Sequence, residues 1–258
     1  MANDQRAEEI SKRYNIREWE IDNLPPSFTV FAVGAPGSGK STLMTNIAYF
    51  NKHKYPIARI FTNNEKGYLE YCSIFHPLYV SNYYDEEEEK RYVLRQKTCT
   101  LENTIYEERS AVNIIDDPQD PKIYRTPLVR NLFKVGSQHY NNACLVGSQY
   151  SVDLPPEIRK SVSYVALFKE ADDIELQKLY RNFGGVVGDF QTFKKLLQGI
   201  TGDHTCMVIS RREASNDLQD CVYWCKTRKL GPWSFGSAEY KSWAKQRYNP
   251  AYVDKAMV

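Results

Sequence analysis

Short apolar runs recur along the chain, each closed by a polar or turn-forming residue. Longer stretches between them place apolar residues three or four apart. Runs of the first kind, at 28–33, 59–62, 111–115, 143–147 and 164–168, predict strands. Stretches of the second kind, at 42–51, 85–96, 127–140, 172–183 and 189–198, predict helices. Two further strand patterns follow at 205–210 and 220–225. Residues 5–20 read as a charged amphipathic helix with Ile10, Tyr14 and Trp19 inward, broken by Leu24-Pro25-Pro26. Residues 65–84 are aromatic and show no period. Apolar strands alternating with helices predict an α/β fold: a sandwich with a central, mostly parallel sheet flanked by helices. Ligands of such sheets bind at the carboxyl ends of the strands.

Composition narrows the class. A chain of 258 residues with 42% apolar content can bury a sizeable core. The formal net charge is +2, so a nucleic-acid site has to be a local patch rather than a global field. The charged N-terminus does not read as a signal peptide, and no run of 18 apolar residues predicts a membrane span. Six cysteines in a chain of this length, without a secretory signal, are expected to stay reduced in a cytosol-like compartment.

One motif carries specific chemistry. Gly34-Ala35-Pro36-Gly37-Ser38-Gly39-Lys40-Ser41-Thr42 matches G-x-x-x-x-G-K-[ST] between a predicted strand and a predicted helix. Glycines there let successive backbone N–H groups curl towards phosphate oxygens, and the following helix presents its N-terminus to the same anion. Lys40 is expected on the β- and γ-phosphates of ATP, and the Ser41 hydroxyl on Mg²⁺.

The loop alone does not name a reaction, and the same residues would suit a nucleotide kinase. Asp116-Asp117, closing a predicted strand, point to hydrolysis. The first acid would orient Mg²⁺ through water and the second would polarise the attacking water. Asp117 is one methylene shorter than the usual Glu, and the segment Asp-Asp-Pro-Gln-Asp-Pro also reads as a turn. Gln149, at the end of the next strand, is placed to sense the γ-phosphate or hold the water.

Other features have plainer readings. Glu86 to Glu89 suit a solvated helix start. The aromatic stretch 68–84 suits core and subunit contact. His204, Cys206, Cys221 and Cys225 fit no zinc spacing, and buried free thiols are the simpler expectation. Basic residues gather late: Arg211, Arg212, Lys226, Arg228, Lys229, Lys241, Lys245 and Arg247. Lys226, Arg228 and Lys229 are the DNA-backbone candidates among them.

In order, GAPGSGKS at 34–41, RIFTNNE at 59–65, IFHPLYV at 74–80, LRQ at 94–96, NIIDD at 113–117 and the long run 136–170 resemble the genome-packaging ATPases of large eukaryotic DNA viruses and virophages. These belong to the FtsK-HerA superfamily of P-loop ATPases. The resemblance spans about residues 28 to 225. It implies an ATP-hydrolysing motor with Mg²⁺, double-stranded DNA as its track and a pentameric or hexameric ring. It also implies a capsid or inner-membrane protein at the packaging vertex as partner, and a home in the host cytoplasm or the virion. It further implies a trans-acting arginine. The family's Arg before His139 is absent, since Gln138 stands there, and Arg159 in Pro155-Pro156-Glu157-Ile158-Arg159 takes its place as candidate, followed by Arg130 and Arg95. The expected division is an N-terminal arm at 1–24, an ATPase domain at 25–225 and a basic, aromatic extension at 226–258. Two other readings stay open: a small-molecule phosphotransferase, and a slow nucleotide-regulated assembly scaffold.

Overall fold

The computed structural model describes residues 9–102 and 110–249. Strands are β1 (Arg17–Glu18), β2 (Phe28–Val33), β3 (Ile57–Thr62), β4 (Val80–Ser81), β5 (Ala111–Asp116), β6 (Asn142–Ser148), β7 (Tyr164–Leu167), β8 (Thr205–Ser210) and β9 (Val222–Lys226). The longer helices are α1 (Lys40–Phe50), α2 (Glu65–Cys72), α3 (Glu86–Leu101), α4 (Asp173–Phe183), α5 (Phe190–Ile200) and α6 (Ala238–Arg247). Among the described residues the nine strands form a mixed, mostly parallel sheet flanked by helices. The predicted α/β class is therefore the observed one.

The chain folds as two compact units. Unit 1 takes the described residues up to Glu20, then Val30–Leu43 and Gly147–Lys229. Its strand order is β1-β9-β8-β7-β2. Residues Val30 to Val33 run parallel to Tyr164 to Leu167, both fully apolar, as a strand covered on two faces requires. β8 then runs antiparallel to both β7 and β9, with Leu167 opposite Met207 and Cys206 opposite Cys225. The reversal carries the start of β8 to the carboxyl end of β7. Helix α4 opens with Asp172 accepting from the Ile174 and Glu175 amides, and α5 with Asp189 accepting from Thr192. The N-terminal helix does not run on to residue 20 as its charge pattern suggests. It ends at residue 14, where Asn15 turns the backbone into the left-handed region (φ 53°) and the chain enters β1.

Unit 2 takes Ile21–Thr29, Met44–Val146 and the described residues from Leu230 onward. Its order is β6-β5-β3-β4, with β3 parallel to both β5 and β4. Two sequence readings change here. The aperiodic stretch 65–84 holds α2, capped by Asn64 through the Gly67 amide, and the short strand β4. Its aromatics hid the helix because they serve the core: Tyr71 and Phe75 are buried, and Phe75 packs on Trp233 and Phe235. The predicted helix 127–140 is interrupted by a π turn at Leu132–Gly136.

The acidic start of α3 is not simply solvated. Asp85 caps it, and Glu86 and Glu87 face outward. Glu88 Oε2 accepts from Arg59 Nη2 of β3 at 2.8 Å. Glu89 is 2% exposed and accepts from Asn113 Nδ2 of β5 at 2.9 Å. One turn on, the Tyr92 hydroxyl meets Asn142 of β6, and Gln96 donates to the Tyr140 carbonyl. A polar layer thus seats α3 on three strands. Burial raises the Glu89 carboxyl above its ordinary value, against the pull of Arg59. A carboxyl raised by folding contributes most below its unfolded pKa and loses that contribution as pH climbs through the folded one. Glu89→Gln is therefore expected to show a higher denaturation midpoint than the parent at pH 7 and a smaller fall between mildly acidic and neutral pH. Denaturant melts across that range check it.

Candidate functional site

The phosphate loop leaves β2 in unit 1 and runs from Gly34 into α1, which begins at Lys40. Its curl uses Gly37 at φ 74° and Gly39 at φ 112°, where a side chain would be strained. The Ser38 amide closes a turn on the Ala35 carbonyl at 3.2 Å, and the Leu43 amide starts the helix on the Gly39 carbonyl at 2.8 Å. Lys40 is 6% exposed. Its ammonium donates to the carbonyls of Gly34 at 2.7 Å and Ala35 at 3.1 Å, tying the end of the loop to its beginning. Main-chain oxygens thus supply hydrogen-bond partners to an amine that is buried inside the curl.

The wall behind the loop explains Gly34. A Cβ there would lie 2.6 Å from Phe168 Cβ and 2.8 Å from Ser38 Oγ. Phe168 is buried just after β7, and its amide donates to the Val33 carbonyl at 2.9 Å. The Gly34 amide donates to the carbonyl of Ser148, the last residue of β6, at 3.2 Å. Gln149 follows directly and is half-buried at this strand end. The Ser148 hydroxyl is bonded to Asp153, which folds the 148–153 segment back on itself.

Arg159 ends the short helix Pro156–Arg159 in the same unit and is half-buried. Its Nη1 donates to the Ser151 carbonyl at 3.3 Å, and its own carbonyl accepts from Arg211 at 2.6 Å. Burial pulls its guanidinium pKa down, with Glu157 acting the other way. The DNA candidates at the end of β9 stand near carboxylates. Lys226 lies 3.2 Å from Asp203 and Arg228 3.4 Å from Glu18, while Lys229 is exposed.

The acidic pair belongs to unit 2. Asp116, 3% exposed, is the last residue of β5, and its Oδ2 accepts from the Tyr71 hydroxyl of α2 at 3.0 Å. Asp117 sits at φ 49°, a left-handed turn backbone that aspartate adopts more readily than most residues. The loop beyond is held by Asn63, whose Oδ1 accepts from the Gln119 amide at 3.0 Å and whose amide donates to the Asn82 carbonyl at 3.0 Å. Both acids therefore stand at a strand's carboxyl end, as their spacing predicts. Tyr71 and Asn63 were not legible as site residues. Tyr71 lay in the aperiodic stretch, though Asn63 lay within the RIFTNNE segment.

A second group missed by sequence reasoning lies behind Gly39. A Cβ there would meet His204 Nδ1 and Phe168 Cε1, each at 3.2 Å. In the sequence His204 groups only with the cysteines. Instead Cys206 and Cys225 face each other within the β8–β9 pair, and His204 precedes the strand.

A strand–phosphate loop–helix unit at the carboxyl edge of a mostly parallel sheet defines the fold of the P-loop NTPases. Solved structures agree. The genome-packaging NTPase B204 of Sulfolobus turreted icosahedral virus 2 superposes with a TM-score of 0.55 at 17% identity, over 81% of this chain and 100% of that one. The pCW3 conjugation coupling protein TcpA gives 0.53 at 11% identity, over 86% and 65%. No family model matches the chain. Among curated proteins, 075L of Invertebrate iridescent virus 6 is 32% identical over 94% of this chain and 98% of its own length. Protein 088R of Invertebrate iridescent virus 3 is 30% identical over 86% and 85%. The chain belongs to the family of these iridescent-virus proteins, and its fold is shared with the packaging NTPase B204 and the coupling protein TcpA.

Gly34→Ala tests the loop's wall. Forcing Phe168 or Ser38 to move is expected to cost about 1–3 kcal/mol of stability, read by denaturant melts, and to weaken nucleotide binding, read by calorimetry.

Proposed function

We propose that the protein is an ATPase that drives double-stranded viral DNA into a preformed capsid. The observation that carries this reading is the phosphate loop with the buried Lys40 ammonium at its centre. The likeness to B204, a genome-packaging NTPase also solved with an ATP analogue, supports it, as does membership of a family of iridescent-virus proteins. Lys40 holds the β- and γ-phosphates, and backbone N–H groups of the loop between Gly37 and Thr42, beyond Pro36, which has none, cradle them. Asp117 accepts the proton of the attacking water. Gln149 orients that water or senses the γ-phosphate. Ser41 would give magnesium a hard oxygen donor and Asp116 would orient the ion through water, with the Tyr71 hydrogen bond holding the Asp116 carboxylate. When bound with ATP, magnesium neutralises charge on the phosphates. Arg159 reaches a neighbouring subunit's nucleotide in a pentameric or hexameric ring, and Lys226, Arg228 and Lys229 meet the DNA backbone. A capsid or inner-membrane protein at the packaging vertex anchors the ring, in the host cytoplasm or the virion. Among the described residues no helix is long and apolar enough to cross a membrane.

Phosphate release with and without duplex DNA, at two salt concentrations and under assembling conditions, tests the motor. Duplex is expected to stimulate turnover whatever its base composition, and stimulation is expected to fall as salt rises. Lys40→Ala is expected to lose about 10²-fold or more in rate, and Asp117→Asn to bind ATP without hydrolysing it. An unstimulated enzyme that passes phosphate to a nucleoside monophosphate would replace this reading with a phosphotransferase.

Arg159→Ala is expected to bind ATP normally and to lose about 10³-fold or more in rate. Doped into parent rings, it should depress activity by more than its mole fraction. A strictly proportional loss assigns Arg159 to its own subunit.

A further inference from the structure

We propose that His204 is a nucleotide-contact residue, its imidazole hydrogen-bonding the phosphate chain of the nucleotide on the loop. The proposal rests on reading Gly34 to Thr42 as a nucleotide site. Three observations lead to it.

The first is position. His204 Nδ1 stands 3.2 Å from where a Gly39 Cβ would be, one residue before Lys40. Gly39 needs to be glycine for its backbone (φ 112°), and a Cβ there would also crowd the imidazole. A phosphate chain cradled by amides from Gly39 onward comes within an imidazole's reach. The side chain is otherwise exposed, so it is not there to fill the core.

The second is strain. Gly202-Asp203-His204-Thr205 closes on itself, with the Thr205 amide on the Gly202 carbonyl at 2.8 Å and the return bond at 3.4 Å. Asp203 at φ 46° and His204 at φ 59° are both left-handed, the pattern of a two-residue type I′ turn. Asn-Gly is the usual occupant of such a turn; aspartate and histidine adopt this backbone more readily than most residues, but two in succession without a glycine gain from support by their surroundings.

The third is the enforcement. The His204 carbonyl accepts twice from Thr227 at the end of β9, from the amide at 3.1 Å and from Oγ1 at 3.1 Å. Lys226 Nζ lies 3.2 Å from the Asp203 carboxylate and offsets a negative charge that would repel a phosphate one residue away. Both ends of the turn are thus held by β9, and the ring they present lies against the loop. An exposed imidazole carried on a held backbone beside the loop is placed to meet a ligand there.

The test separates contact from scaffold. His204→Gly removes the imidazole and suits a left-handed turn, and His204→Asn keeps the turn with a shorter side chain. Mg-ADP affinity by calorimetry is expected to fall about tenfold or more in both, while the thermal midpoint of the ligand-free protein stays level or rises. In the parent, the His204 imidazole nitrogen resonances, assigned by their loss in His204→Asn, should shift with ADP and saturate at the calorimetric Kd. Unchanged affinity in both variants, or imidazole resonances that ignore saturating ADP, overturns the proposal and leaves the loop reading intact. A parent protein that binds no ADP removes both readings together.

Discussion

Unit 1 is organised around one buried charge. The Lys40 ammonium, enclosed and bonded to the carbonyls of Gly34 and Ala35, ties the end of the phosphate loop to its start. A cation in that position is tolerable only while main-chain oxygens surround it, so the loop has to keep its curl. The curl in turn needs glycine at 37 and 39 for their backbone angles, and at 34 because Phe168 fills the space behind. Phe168 is fixed by the parallel pairing of β2 and β7, which places its amide on Val33. The neighbouring strand end contributes through Ser148 to the Gly34 amide. A change at any of these points is felt by the ammonium.

Much of this was legible in advance. Apolar runs bounded by turn residues located the longer strands to within a few residues, because strands buried on both faces have no alternation to blur. The phosphate loop was legible because its spacing is itself geometry: each glycine answers a backbone angle or a close approach. What stayed hidden depended on pairing across the chain. Glu89 reads as one of four glutamates in a row, and only the position of Asn113 on β5 shows it to be buried. Tyr71 reads as one aromatic among many until α2 aims it at Asp116. The antiparallel direction of β8 leaves no mark in a six-residue apolar run, yet it decides where His204 ends up.

The polar layer beneath α3 shows how a helix with an acidic opening sits on an apolar sheet. Arg59 answers Glu88, Asn113 answers Glu89, and Asn142 answers Tyr92. Apolar packing tolerates a helix slid by a turn, whereas these three pairs, each on a different strand, meet in one register only. The layer exchanges some stability, visible in the raised Glu89 carboxyl, for a unique seat.

The wall of the phosphate loop has a consequence for biosynthesis. The loop ends at Thr42, but Phe168, behind Gly34, and His204, beside Gly39, follow some 130 and 165 residues later. Thr227, which fixes the His204 turn, comes later still. A nascent chain emerging from the ribosome therefore carries the nucleotide motif long before it owns a finished cradle. Closing such distant contacts is the slow part of folding a mostly parallel sheet. A cradle of this design is finished only once Phe168, His204 and Thr227 have all been made.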